Sequence, residues 1–427
     1  MTELEEIYED NSINQNTVTD SEIIEEEYFD EAEKKRQRRR YFSSAMWKLT
    51  LSLVILLAIQ VVTALPIGLT TLVLDKLSEN STSGFLSVFR TLYDLGYVET
   101  FNNILSLFVI IIPDCIGLLV FILLTKNTKN AELDNQKLSF GLWFAMFIMC
   151  FGIGGIGTVL GLIANAIIKV PAGVLGLLLK SIATIGTITS GGGASLTNAD
   201  DSLIYILIEI PIAAILVPIV EEYTFRKVLI DKTARYGYGP AILLSGLTFG
   251  IIHGNFSQLF YAMGLGFLFA YIYCVTGKER YTIFMHMGYN FYAAAILPLA
   301  RKMIPAQVKE TVQAALDQLS VDGDIFKYSD TFSDAILSNP ISIVGMFAVT
   351  AVILFYFVLI ISGIILMIVF LRKFLHFRKT LPLGEKGIKR CAIFNVGSIL
   401  YLCLGIVIFG LTITVDFFST LYSVAIL

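Results

Sequence analysis

The chain reads as an all-α protein, a polytopic transmembrane helical bundle of about 8–9 membrane helices behind a disordered acidic N-terminal tail. Composition is the first reason. Of 427 residues, 56% are hydrophobic and 15% charged, whereas a soluble domain carries roughly 45–50% apolar and about 25% charged residues. Apolar runs of membrane-spanning length are the second, and the mean hydropathy of +0.74 reflects them. The third is where the charges lie. Residues 1–33 hold thirteen acids and no Lys or Arg, which leaves 22 acids against 31 bases in the other 394 residues. The net charge of -4 thus belongs to the tail, and the membrane body is basic.

Residues 1–43 form the first segment. Its acidic part has too few aliphatics to bury the surface that folding requires, so disorder is expected. It ends in Lys34-Lys35-Arg36-Gln37-Arg38-Arg39-Arg40, immediately before the first apolar run. The positive-inside rule therefore puts the N-terminus in the cytoplasm. A long polar tail before the first apolar stretch is not the pattern of a cleaved signal peptide.

Membrane helices are expected near 46–75, 103–125, 139–168, 203–225, 240–254, 257–276, 282–299, 341–371 and 391–424. Nine crossings make this a multi-pass protein of the cell membrane with its C-terminus outside. The loops assigned to the inner face agree, since they carry Lys126, Lys129 and Lys137, then Arg226 to Arg235, Lys278 and Arg280, and the basic stretch 372–390. Residues 169–187 read as a re-entrant or interfacial segment. Val308 to Leu319 reads as an amphipathic surface helix. The chain divides into the tail, N-terminal membrane helices at 44–200, a chemical core at 201–300, an extracytoplasmic loop at 301–340 and a C-terminal helix pair at 341–427.

Two motif-like patterns dissolve on inspection. Gly152-Ile153-Gly154-Gly155-Ile156-Gly157 fits GxGxxG but lies inside an apolar span with no strand before it, so helix packing explains it better than a dinucleotide. The five cysteines, all in or beside apolar runs, show no CxxC pair and read as packing residues. No nucleic-acid partner is expected. The bilayer is the evident one.

Ionisable groups inside membrane helices are expensive and mark function by default. The densest set is Glu221-Glu222-Tyr223-Thr224-Phe225-Arg226. Glu222 and Arg226, one turn apart, can pair in the favourable order. Glu221 is rotated by about 100° and left free to react. The bland alternative is a pair of acids marking a helix end. Against it stand two of only three histidines, His253 and His286, both in apolar surroundings just downstream. The third, His376, lies in a basic loop and receives no role. A turn at Tyr236-Gly237-Tyr238-Gly239-Pro240 lies midway between Glu222 and His253, so antiparallel helices bring them to one height. Asn290 follows His286 by one turn on the same face.

Glu221, His253, His286 and Asn290 thus converge. A Glu with a His can deprotonate water, and a His with an Asn can hydrogen-bond an oxyanion, which suits hydrolysis of an acyl bond. Two His and a Glu (Glu221, His253, His286) could instead hold Zn²⁺ with water as fourth ligand. No HExxH is present, and the sequence leaves both routes open.

Glu221-Glu222-x-x-x-Arg226, Phe249-x-x-x-His253 and His286-x-x-x-Asn290, in that order on successive helices, resemble the signature motifs of the CPBP family. That family includes type II CAAX prenyl endopeptidases and proteins related to bacteriocin self-immunity. The resemblance covers residues 221–290. It implies an intramembrane endopeptidase in which Glu221 and His253 activate water while His286 and Asn290 stabilise the oxyanion, with Glu222, Arg226 and Phe249 in support. The implied substrate is a membrane-associated peptide or lipidated protein, and the resemblance leaves the metal open. The rival is a non-catalytic immunity or scaffold protein that keeps the pocket as structure. A transporter is a weaker third reading, because no inverted repeat is visible.

Overall fold

A computed structural model describes residues 51–56, 97–128, 130–179, 203–234, 237–305, 340–377 and 399–410, with isolated positions beside these segments. The acidic tail and most of the expected surface helix at Val308 to Leu319 lie outside the described residues. So do large parts of the first and last expected spans.

Every regular element among the described residues is helical. We number them α1 (Tyr97–Thr125), α2 (Phe140–Leu179), α3 (a broken helix from Leu203 to Thr233), α4 (Tyr238–Ile251), α5 (Phe256–Thr276), α6 (Glu279 to Lys302) and α7 (Pro340–Phe377). Phe140–Ile167, Phe256–Thr276, Glu279–Lys302 and Pro340–Phe370 are long and apolar enough to cross a membrane, and Ile111–Thr125, Tyr238–Ile251 and Ile399–Gly410 are shorter apolar helices. Phe347, Ile341, Ile361 and Ile368 of α7 are all more than half exposed, as side chains solvated by lipid should be.

Helix α5 is the hub. It packs on α4 and on α2, while α7 covers the other side of α2. The glycines of α2 make these contacts close, because without a Cβ two backbones can approach. A Cβ at Gly152 would lie 2.5 Å from the backbone of Gly363 on α7, and one at Gly157 would lie 2.3 Å from the Cα of Tyr261 on α5. The glycine run is therefore a packing surface.

Three boundaries differ from the sequence reading. The re-entrant segment expected from residue 169 is instead a continuation of α2 to Leu179; residues 180–187 lie outside the described part. Pro240 does not belong to a turn. It sits in the first turn of α4, where its missing N–H has no intrahelical partner to lose. His253, expected on the helix, lies just beyond it: α4 ends at Ile251, the His253 N–H reaches the Gly250 carbonyl at 3.4 Å, and Gly254 takes φ +65. That left-handed glycine turns the chain into α5, whose cap is Asn255, accepting from the Gln258 N–H at 2.9 Å.

Candidate functional site

The site is built on the breaks in α3. Pro211 and Pro218 lack the N–H that a regular helix needs. The chain responds with wide π-turns at Ile210–Leu216 and again at Tyr223–Val228. In the first of these the Val217 N–H bonds to the Ile212 carbonyl, five residues back. The next bond in that register would join Pro218 to the Ala213 carbonyl, and proline has no hydrogen to give. The orphaned Ala213 carbonyl accepts instead from Asn290 Nδ2 of α6 at 3.0 Å. The second π-turn acts alike. Leu229 N–H bonds Thr224 and Arg226 carbonyls, and the skipped Phe225 carbonyl takes the Ser245 hydroxyl of α4 at 2.9 Å.

Between these breaks lie the two acids. Glu222, fully buried, accepts from Arg226 Nη2 at 2.9 Å, one turn on, as the spacing predicts. Arg226 is also fully buried, gives a second bond from Nη1 to Ser245 Oγ at 3.0 Å, and stacks its guanidinium 4.7 Å from the Phe249 ring centroid and 5.6 Å from that of Phe269. The pair has left water on both sides, so its members hold each other in place. Glu222 Oε2 and Arg226 Nε, both buried, find no hydrogen-bond partner among the described residues.

His286 stands between the acids. Its Nδ1 lies 3.2 Å from Glu222 Oε1 and its Nε2 3.6 Å from Glu221 Oε2. Its ring packs edge-on against Phe249 at 5.7 Å and beside Phe269. Glu221 keeps 11% of its side chain exposed where Glu222 keeps none. The two acids thus divide as the 100° rotation predicts, one sealed on Arg226 and one partly exposed beside His286.

His253 meets the other edge of Phe249, with ring centroids 5.2 Å apart. Its Nδ1 donates to the Phe249 carbonyl at 2.7 Å, an assignment made because a carbonyl can only accept; Nε2 is then the free acceptor. No hydrogen bond or ion pair among the described residues joins His253 to Glu221. The structure therefore brings Glu221, Glu222, Arg226, Phe249 and His286 into one contact network, sets His253 across the Phe249 ring, and ties Asn290 to the same broken helix one turn from His286. His376 lies outside the site's elements.

Among the described residues no group of three or more His, Cys, Asp or Glu side chains is placed to hold a metal ion. Glu221, His253 and His286 do not come together as such a group.

Residue reasoning missed two contributors. Ser245 bonds both Arg226 and the Phe225 carbonyl, and a lone serine in an apolar helix carries no sequence signal. Asp114 of α1 is buried at 6%, one turn from Ile111, which packs on Val217 and Val220 of α3. An Asp inside an apolar run was a signal available to the same rule that found Glu221.

The described residues thus form a helical, membrane-embedded protein that sets two carboxylates against a histidine, with an asparagine one turn away, between its helices. Comparison with known proteins shows what this part of the chain is similar to. Residues 203–292 match the model of the type II CAAX prenyl endopeptidase Rce1-like family. A protein of Bacillus subtilis (strain 168) described as "Putative membrane peptidase YdiL" is 34% identical over 85 residues, 19% of this chain. The chain spans about a third (34%) of that relative's length. Both findings bear out, at the level of family, the CPBP resemblance carried by the three motifs. No solved structure matches the chain.

Proposed function

We propose that this protein is a membrane endopeptidase of the CAAX-protease-like type, which hydrolyses a peptide bond in a membrane-associated or lipidated substrate with side-chain-activated water. The observation that carries the reading is His286 of α6 held between Glu221 and Glu222 of α3, with Asn290 one turn further along α6 and tied to the Ala213 carbonyl of α3. Ionised carboxylates only accept hydrogen bonds, so a ring facing two of them is arranged as a donor. That suits His286 to an oxyanion. Asn290 spends one Nδ2 hydrogen on Ala213 and keeps a second for the same oxygen.

Glu221, which has no arginine beside it as Glu222 does, and His253, whose Nε2 is left as acceptor, are the proton acceptors. Water gives its proton to this pair, and its oxygen attacks the scissile carbonyl carbon. The tetrahedral oxyanion is held by His286 and Asn290. As the C–N bond breaks, the proton passes to the departing amide nitrogen, leaving an acid and an amine. Glu222 and Arg226 do not touch the substrate in this scheme; they hold His286. A cell-membrane location with the N-terminus inside follows from the charge of the loops and belongs to the proposal.

The test is comparative proteomics of membrane peptides in wild type and a Glu221→Gln strain. Expected are precursors that accumulate only in the variant, with turnover down by about 10²–10⁴-fold. Wild-type turnover in Glu221→Gln at equal abundance refutes the mechanism and favours a non-catalytic immunity or scaffold role.

A further inference from the structure

The site has a closed end and an open end. Toward the turn that joins α5 to α6, the side chains below the acid pair are sealed: Arg226 and Glu222 are inaccessible, as are Phe269, Tyr273, Thr276 and Met285. The Tyr273 hydroxyl donates to Asp231 at 2.7 Å and closes the helix ends there. Toward the corner between α4 and α5 the burial reverses. His253, Asn255, Gln258 and Tyr261 are all partly exposed, and so are Tyr289 and Asn290 facing them from α6.

Ile251, Phe256, Leu259 and Phe260 are partly exposed there too, but the polar members of the set are what a purely lipid-facing surface would not favour. Asn255 gives its amide hydrogens to the Gln258 Oε1 at 2.9 Å and to the His253 carbonyl at 2.8 Å, fixing the corner beside the catalytic ring. The Tyr261 and Tyr289 rings lie 6.3 Å apart along the same side. An entry lined by carboxamides and phenols offers hydrogen bonds to main-chain N–H and C=O groups and little to a hydrocarbon tail.

We propose that the α4–α5 corner is the water-filled mouth through which substrate reaches Glu221, and that Gln258 and Tyr261 bind an extended peptide main chain there. This inference rests on the peptidase reading above and names the substrate feature recognised at entry, an unlipidated stretch of backbone.

The test is cysteine reactivity in nanodiscs, with a charged, membrane-impermeant maleimide as probe and peptide-resolved mass spectrometry to separate the native cysteines. Maleimides react with thiolates in water. Gln258→Cys should be labelled at least tenfold faster than Thr224→Cys or Thr276→Cys at the closed end. It should also outpace Phe284→Cys by the same factor, because Phe284, 59% exposed, is an apolar side chain on a helix long and apolar enough to cross a membrane, where a charged probe does not reach. Peptides that accumulate in the Glu221→Gln strain should slow labelling at position 258 at least fivefold, and Gln258→Leu should raise their KM with kcat retained.

Equal labelling rates at 258, 224 and 284, or no protection by those peptides, overturn the proposal. Rapid labelling at 258 with no precursor in the Glu221→Gln strain overturns the peptidase reading instead.

Discussion

The buried Glu222–Arg226 pair gives the sharpest quantitative test. Replacing Arg226 by Met keeps much of the side-chain volume but leaves Glu222 fully buried with no cation beside it. The variant loses the 2.9 Å ion pair, the 3.0 Å bond to Ser245 and the stacking on Phe249 and Phe269. Breaking a buried pair from one side costs about 3–5 kcal/mol, chiefly because a desolvated charge is stranded. At an unfolding entropy of about 2.1 cal/mol/K per residue, a chain of 427 residues loses about 1 °C per kcal/mol, so the midpoint of unfolding should fall by about 3–6 °C. Trp143 is a convenient reporter, since its indole donates to the Tyr281 carbonyl at 3.1 Å and stacks on Phe147. Its emission follows thermal unfolding of the purified protein in detergent. The double variant Glu222→Gln/Arg226→Met removes both charges and should recover to within about 1–2 kcal/mol of wild type. Peptidase activity should stay low in both, because His286 loses the carboxylate that orients it in the double variant and the arginine that fixes that carboxylate in the single one. A single variant as stable as wild type, or a double variant no more stable than the single, refutes the reasoning.

Close packing of α2 on α7 predicts that Gly152→Val destabilises the protein by at least about 2 kcal/mol, since the added carbons meet the Gly363 backbone, which cannot give way. Gly141→Ala, with nothing within 4 Å, should leave the unfolding midpoint unchanged or raised. Pro218→Ala restores an N–H that can compete with Asn290 for the Ala213 carbonyl. Peptidase turnover should drop at least tenfold while stability holds, and unchanged turnover would show that the Asn290 tether is dispensable. Metal dependence is checked by elemental analysis and dialysis against a chelator. With no three-donor group among the described residues, activity should survive dialysis. Loss of a stoichiometric zinc together with activity would replace the side-chain mechanism.

Much of the site was legible because charge in an apolar run is costly enough to need a reason. Glu221, Glu222, Arg226, His253 and His286 stand out on that ground alone, and helical spacing correctly paired Glu222 with Arg226 and set Glu221 apart. Other features escaped for physical reasons. The end of α4 before His253 depends on Gly254 taking φ +65, and a glycine inside a hydropathic run does not announce that conformation. The continuation of α2 to Leu179 passes through Pro171, which normally argues for a boundary. Ser245 is invisible because its value lies entirely in two partners brought from another helix.

The prolines of α3 connect these observations. Pro218 is three residues before Glu221, and in a uniform helix it would only weaken the backbone. Here the missing hydrogen leaves the Ala213 carbonyl open, and that carbonyl fixes Asn290 of α6. The later π-turn frees the Phe225 carbonyl, which fixes Ser245 of α4 and through it the Arg226 guanidinium. Each backbone defect is answered by a side chain from a different helix. Both answers tie a neighbouring helix to α3, on either side of the acid pair. In lipid no water can satisfy an orphan carbonyl, so these contacts are obligatory rather than optional. The same shortage of hydrogen bonds that makes a broken membrane helix costly thereby sets the distance between α3, α4 and α6. Glu221 and His286 are held 3.6 Å apart by backbone carbonyls that neither residue touches.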